Sequence, residues 1–332
     1  MVVISLTEFS TRSRASISAS LAYLEKVCGN GDFSGQLTLF DKTERAAVSA
    51  ESIEVPPRIK LEIKRRPPGE RLYTSIGTLA EFLEGEESCW VQVLAEDDLV
   101  LSGGGFLFSP GPGDVMFLPD LLIVGDRNRF ESRGELHTLC NLRTLGASEI
   151  GGDTSWHSIV REDIMLGYCQ WLASLRESPH VHSNILIYLA LTYGTAKRLR
   201  QFAFIKEGSL YDSHANTMVR LRRRWDAAFG DANLVDHSDL LNILAAISLI
   251  SRAPTSADAN RRQDVHNLLL EKLQGLCSVN PSQSGRLYRV FRKFRPGNKE
   301  ATELLGLSQL LDLAETRLGK EGHAVLQSLH LR

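Results

Sequence analysis

Apolar residues follow two different rhythms along this chain. Up to about residue 145 they come in short runs of β character: VVISL from Val2, QLTLF from Gln36, RIKLEIK from Arg58, CWVQVLA from Cys89, LVLSG from Leu99 and VMFLPDLLIVG from Val115. Pro-Pro pairs and Gly clusters separate the runs, which is ordinary strand punctuation. Two helical patterns interrupt the series, ASISASLAYLEKVC near the start and IGTLAEFLEGE after RIKLEIK. After GASEIGGD the helical period takes over and holds to the end.

The helix starts in the second half carry their own signals. Asp153 or Thr154 can cap the first, and Ser178 followed by Pro179 reads as an N-cap with Pro at the first helical position. Ser238 can cap DLLNILAAISLI, Thr255 or Ser256 the next helix, and Pro296-Gly297 ends another. The pattern predicts an α+β fold. A mixed or mostly-β domain over 1–148, with one or two helices, precedes an all-helical domain over 153–332 of about seven helices.

With 332 residues the chain is long enough for a substantial core. Thirty-eight basic against 40 acidic residues leave a net charge of −2, so total charge gives no reason to expect a polyanion partner. The five cysteines are scattered, odd in number and without CxxC spacing, which fits a reducing compartment. The start, MVVISLTEFSTRSR, has no apolar stretch of signal-peptide length, and NILIYLALTYG is too short to span a bilayer. These features predict a cytoplasmic or nuclear protein that is not secreted and makes no membrane contact.

Local charge changes the picture. From Arg286 to Lys299 there are six basic residues and no acid, a net +6. On a helical wheel Leu287, Val290, Phe291 and Phe294 share one arc, while Arg286, Arg289, Arg292 and Lys293 share the opposite one. The aromatics would then face the core, leaving a ridge of charge rather than a stacking platform. A second window, Lys197 to Arg224, also nets +6. Within it Arg220, Arg223 and Arg224 lie opposite the apolar face made by Met218, Leu221, Trp225 and Phe229.

Five stretches are candidates for chemistry. On a strand, Glu62 and Lys64 of RIKLEIK would share a face, like the E-x-K half of a metal-dependent nuclease site, with Asp41 as the nearest second acid. The glycine-rich Ser102–Asp114 segment lacks the lysine of a phosphate loop and reads as a flexible hairpin. The pairs His137/Cys140 and His180/His182 fall short of a zinc pattern, and Glu96–Asp98 reads as a hairpin turn. No cofactor or metal site is expected.

The leading functional expectation is a non-enzymatic nucleic-acid-binding or assembly subunit of an intracellular complex. It would contact phosphates through Arg220, Arg223, Arg224, Arg286, Arg289, Arg292 and Lys293. Two alternatives stand beside it: a metal-dependent nuclease using Glu62, Lys64 and Asp41, and an adaptor docking an acidic protein surface on the same basic ridge.

Overall fold

The computed structural model describes residues 1–6, 8–29, 33–44, 47–68, 79–80, 83, 89–96, 98–102, 108–124, 129–131, 136–137, 158–175, 185–207, 238–252, 258–278, 305–319 and 322–332. The fold is α+β, and the described residues build a mixed sheet of ten strands. The strands are β1 (Val2–Leu6), β2 (Gly35–Asp41), β3 (Ile59–Arg65), β4 (Trp90–Ala95), β5 (Leu99–Ser102), β6 (Asp114–Val124), β7 (Arg129–Glu131), β8 (Leu136–His137), β9 (Ile159–Arg161) and β10 (Thr195–Glu207). The helices are α1 (Thr11–Cys28), α2 (Glu162–Ser174), α3 (Leu186–Tyr193), α4 (Ser238–Arg252), α5 (Ala259–Ser278), α6 (Leu307–Leu318) and α7 (Gly322–Ser328).

The sheet runs β3-β2-β1-β4-β9-β6-β10-β5, with β7 beside β6 and β8 beside β10. Strands β3, β2, β1 and β4 are mutually parallel. β9 is antiparallel to both β4 and β6, and β10 is parallel to β6. β1 is apolar on both faces because both are covered. Val2, Ile4 and Leu6 join the apolar cluster under α1, whereas Val3 joins the cluster under the C-terminal helices. In that helical layer α4 is central: every residue from Leu240 to Ile250 is buried. Its Ser248 accepts a hydrogen bond from Trp171 Nε1 at 3.0 Å and donates to the Leu329 carbonyl.

Among the described residues strands are more frequent in the first half and helices in the second, but the second half is not all-helical. β9 is short enough to escape a periodicity reading, and β10 is a 13-residue strand in the region expected to be helix. β10 is stable as a strand because β6 offers it a long parallel partner, from Thr195↔Asp114 to Glu207↔Val124. Two hairpin expectations also fail. β4 and β5 are three residues apart but do not pair, since β5 crosses to β10. β5 and β6, joined by the glycine-rich segment, are likewise not neighbours. Where β6 begins, Gly113 turns the chain at φ 86° and Gly194 packs so tightly on it that a Cβ would lie 2.2 Å from the Gly113 carbonyl oxygen.

Among the described residues no helix is long and apolar enough to cross a membrane.

Candidate functional site

The strand order defines a crevice. From β1 the chain builds outward through β2 to β3, then returns to place β4 on the other side of β1. At such a switch point the connections leave in opposite directions, and the space outside the carboxyl ends of the strands stays open. Register aligns those ends. Leu6 pairs with Asp41 and Asp41 with Arg65, while Ser5 pairs with Ala95, so Glu96 continues the row one step on. At ~4.8 Å per strand the row Glu96, Leu6, Asp41, Arg65 is about 14 Å across.

Two connections meet at the β1–β4 end. The Glu8 amide donates to Glu96 Oε2 at 3.1 Å, which ties the segment after β1 to the end of β4. α1 then begins with a capping box: the Ser13 amide donates to Ser10 Oγ at 3.3 Å, and the Ser10 amide to Ser13 Oγ at 2.7 Å. Its first turn holds Arg12 and Arg14 and no acid, and the Arg14 guanidinium lies 4.5 Å from the Phe9 ring centroid. Cations at a helix N-terminus oppose the macrodipole, an arrangement that suits an anionic ligand. Asp98, two residues past Glu96, is buried. No group of three or more His, Cys, Asp or Glu among the described residues could hold a metal by itself. Glu8 and Glu96 are acidic residues at this end of the crevice.

Asp41, at the end of β2, is 1% exposed and fully engaged. It accepts from the Thr43 amide (3.0 Å), the Thr43 hydroxyl (2.6 Å), the Val48 amide (2.9 Å) and Arg65 Nη1 (2.8 Å). Burial pushes its carboxyl up, but the hydrogen bonds from Thr43, Val48 and Arg65 outweigh burial and hold it below the usual carboxylate range. A carboxylate with four donors at hydrogen-bond distance is a brace, not a metal ligand. Glu62 pairs with Lys64 at 2.5 Å and accepts from Gln36 Nε2 at 2.9 Å. Glu62 stands opposite Thr38, three positions before Asp41, so the two acids project from opposite faces of the sheet. Asp41, Glu62 and Lys64 therefore do not converge, and the nuclease reading is corrected.

Of the two basic windows, only the start of the first lies among the described residues, and it is strand rather than helix. Lys197, Arg198, Arg200 and Lys206 are on β10. Lys197 Nζ lies 2.7 Å from Asp114 Oδ1, and Asp114 also accepts from the Gly111 amide and the Thr195 hydroxyl. Asp114 is buried, which pushes its carboxyl up, yet Lys197, Gly111 and Thr195 together carry it below the ordinary value. Arg220, Arg223, Arg224, Arg286, Arg289, Arg292, Lys293, Phe291 and Phe294 lie outside the described residues, as do Cys140, His180 and His182. His137 is on β8. Sequence reasoning missed Glu8, Arg12, Arg14 and Arg65. The one available clue was the placement of α1 directly after β1, which puts a helix N-terminus at a strand's carboxyl end.

No family model matches the chain, and no curated protein matches it in sequence. Among solved structures it is similar to S. aureus TarS 1-349, with a TM-score of 0.42 and 10% identity over 98% of this chain and 82% of that one. S. aureus TarS itself gives 0.43 and 11% over 99% of this chain, which spans about half (51%) of that protein. TarS 1-349 in complex with UDP-GlcNAc gives 0.39 and 11% over 98% and 82%. Likeness of this degree carries no activity to the chain. The expectation of a non-enzymatic nucleic-acid-binding or complex subunit, with its acidic-partner alternative, is nevertheless corrected. The first basic window begins as a sheet strand with Lys197 committed to Asp114, not as an exposed helical ridge.

Proposed function

We propose that the chain binds a nucleoside diphosphate, as the activated half of a nucleotide sugar, in the crevice at the carboxyl ends of β1, β2 and β4. One observation carries the reading: at the switch point a basic helix N-terminus, with Arg12 and Arg14, stands beside an acidic strand end, with Glu96, tied to it through Glu8. A diphosphate bridges such a pair of opposite charges when a divalent cation accompanies it, its oxygens facing the arginines and the cation facing the carboxylate. Parallel strands with a helix after β1 are the usual setting for a mononucleotide, and this reading rests on that general analogy for the base and ribose. In a nucleotide sugar the bond to the transferred group adjoins the diphosphate, so a site of this kind serves glycosyl transfer with the nucleoside diphosphate as leaving group.

The test is calorimetric titration of the full chain with UDP and UDP-GlcNAc, with and without Mg²⁺, against an Arg12→Ser/Arg14→Ser double variant. Saturable binding that needs the cation is expected. The double variant should bind at least ~10-fold more weakly, from the loss of charge-assisted hydrogen bonds. Absence of binding by the folded wild type, or undiminished binding by the double variant, overturns the reading.

A further inference from the structure

The guanidinium of Arg65 is held in place from one side only. Its Nη1 donates to Asp41 Oδ2 at 2.8 Å and to Thr43 Oγ1 at 2.9 Å, and its Nη2 donates to the Thr43 carbonyl. A guanidinium has five N–H donors. Three are used, which leaves Nε–H and one Nη2–H on neighbouring nitrogens. The side chain is 44% exposed, against 1% for Asp41, so Arg65 is the solvent-facing member of the pair.

Holding a carboxylate this deep is costly, and an apolar pair of similar volume would stabilise a β2–β3 contact at least as well. What the ion pair adds is a fixed orientation. Asp41 grips the amides of Thr43 and Val48, Thr43 grips Arg65, and the Arg66 amide donates to the Asp41 carbonyl at 2.8 Å. The Lys42 amide donates to the Leu6 carbonyl at 2.9 Å, so the same segment is anchored to the end of β1. Arg65 thus sits in the transverse row of strand ends, two strands or about 10 Å from β1.

We infer that Arg65 is a preorganised hydrogen-bond donor to an oxygen of the ligand's nucleobase, at the end of the crevice away from the diphosphate. The inference rests on the nucleotide reading above and adds a residue and a ligand part to it. Asp41 already neutralises the charge of Arg65, so the free donors suit a neutral carbonyl better than a phosphate. A ligand whose phosphates meet the first turn of α1 must extend across β2 to reach them.

Titration of wild type, Arg65→Lys and Arg65→Met with UDP, and with inorganic pyrophosphate as a base-free probe, tests this. Both variants should bind UDP ~10–100-fold more weakly, the range expected for losing hydrogen bonds from a charged donor, while pyrophosphate binding is unchanged. Arg65→Lys keeps a cation beside Asp41 and so separates lost recognition from lost stability; its urea midpoint is measured on the same samples. Unchanged UDP affinity in a folded Arg65→Lys, or an equal loss for pyrophosphate, overturns the role given to Arg65 alone. A wild type that binds neither probe overturns the nucleotide reading first and this one with it.

Discussion

Replacing Asp41 with Asn should be among the most destabilising isosteric changes in the sheet. The side chain is 1% exposed and accepts from four donors. Asn keeps one acceptor oxygen, which can stay on Thr43. Its amide nitrogen cannot accept, so the Val48 amide loses its acceptor and Arg65 Nη1 keeps only Thr43 Oγ1. A buried donor left unsatisfied costs ~1–3 kcal/mol. Arg65 is 44% exposed and can turn to water, so its share is discounted to at most ~1 kcal/mol. The sum is about 1–4 kcal/mol at pH 7, read as a shift in urea midpoint by circular dichroism. The pH dependence follows from the depressed carboxyl. The carboxyl titrates lower in the folded than in the unfolded chain, where it is near ~3.9. Its contribution is therefore full above about pH 5 and is lost as pH falls through the folded value. The gap between wild type and Asp41→Asn should close over that acid range. A gap below ~1 kcal/mol at pH 7, or one that persists unchanged into acid, would refute the assignment of Asp41 as a charged brace.

Other consequences can be checked with single variants. Gly194→Ala should lower stability by ~1–3 kcal/mol, because its Cβ would sit 2.2 Å from the Gly113 carbonyl oxygen and 2.6 Å from Val115 Cγ1; thermal melts decide this. Ser248→Ala leaves the Trp171 indole N–H without its acceptor inside the helical layer and should cost ~1–3 kcal/mol, with a change in near-UV dichroism from Trp171. Cys169 is buried, which pushes its thiol well above the ordinary value. Mass spectrometry after iodoacetamide treatment at pH 8 should find it unmodified until the chain is unfolded. Glu62→Gln should leave stability within about 0.5 kcal/mol, as expected for a partly exposed surface pair, and should not alter divalent-metal binding measured by calorimetry.

Much of the sheet was legible because β1, β2, β3, β4 and β6 are apolar runs bounded by turn residues, and such runs have few alternatives to a buried strand. β10 was not. Its Lys197, Arg198 and Arg200 look like a helix surface, and its strand character depends on β6, which lies about 80 residues earlier. The alternation of Phe202, Ala203 and Phe204 was the local sign. The position of Asp41 at a strand end could be read directly, but its role could not, since its partners are two, seven and 24 residues away in sequence. Glu96–Asp98 illustrates the same limit: a three-residue link normally makes a hairpin, and here the next strand pairs with β10, about a hundred residues downstream. The crevice exists only once β4 has returned beside β1, which no local pattern specifies.

Hydrogen–deuterium exchange with and without saturating UDP and Mg²⁺ tests the location of the site most directly. Protection is expected at the carboxyl edge of the sheet, in peptides covering 5–16, 40–48, 63–66 and 94–99, with the α4 and α5 peptides unchanged. Protection confined to the C-terminal helical layer, or none at any edge peptide while the ligand is demonstrably bound, would contradict a nucleotide site at the β1–β4 switch point.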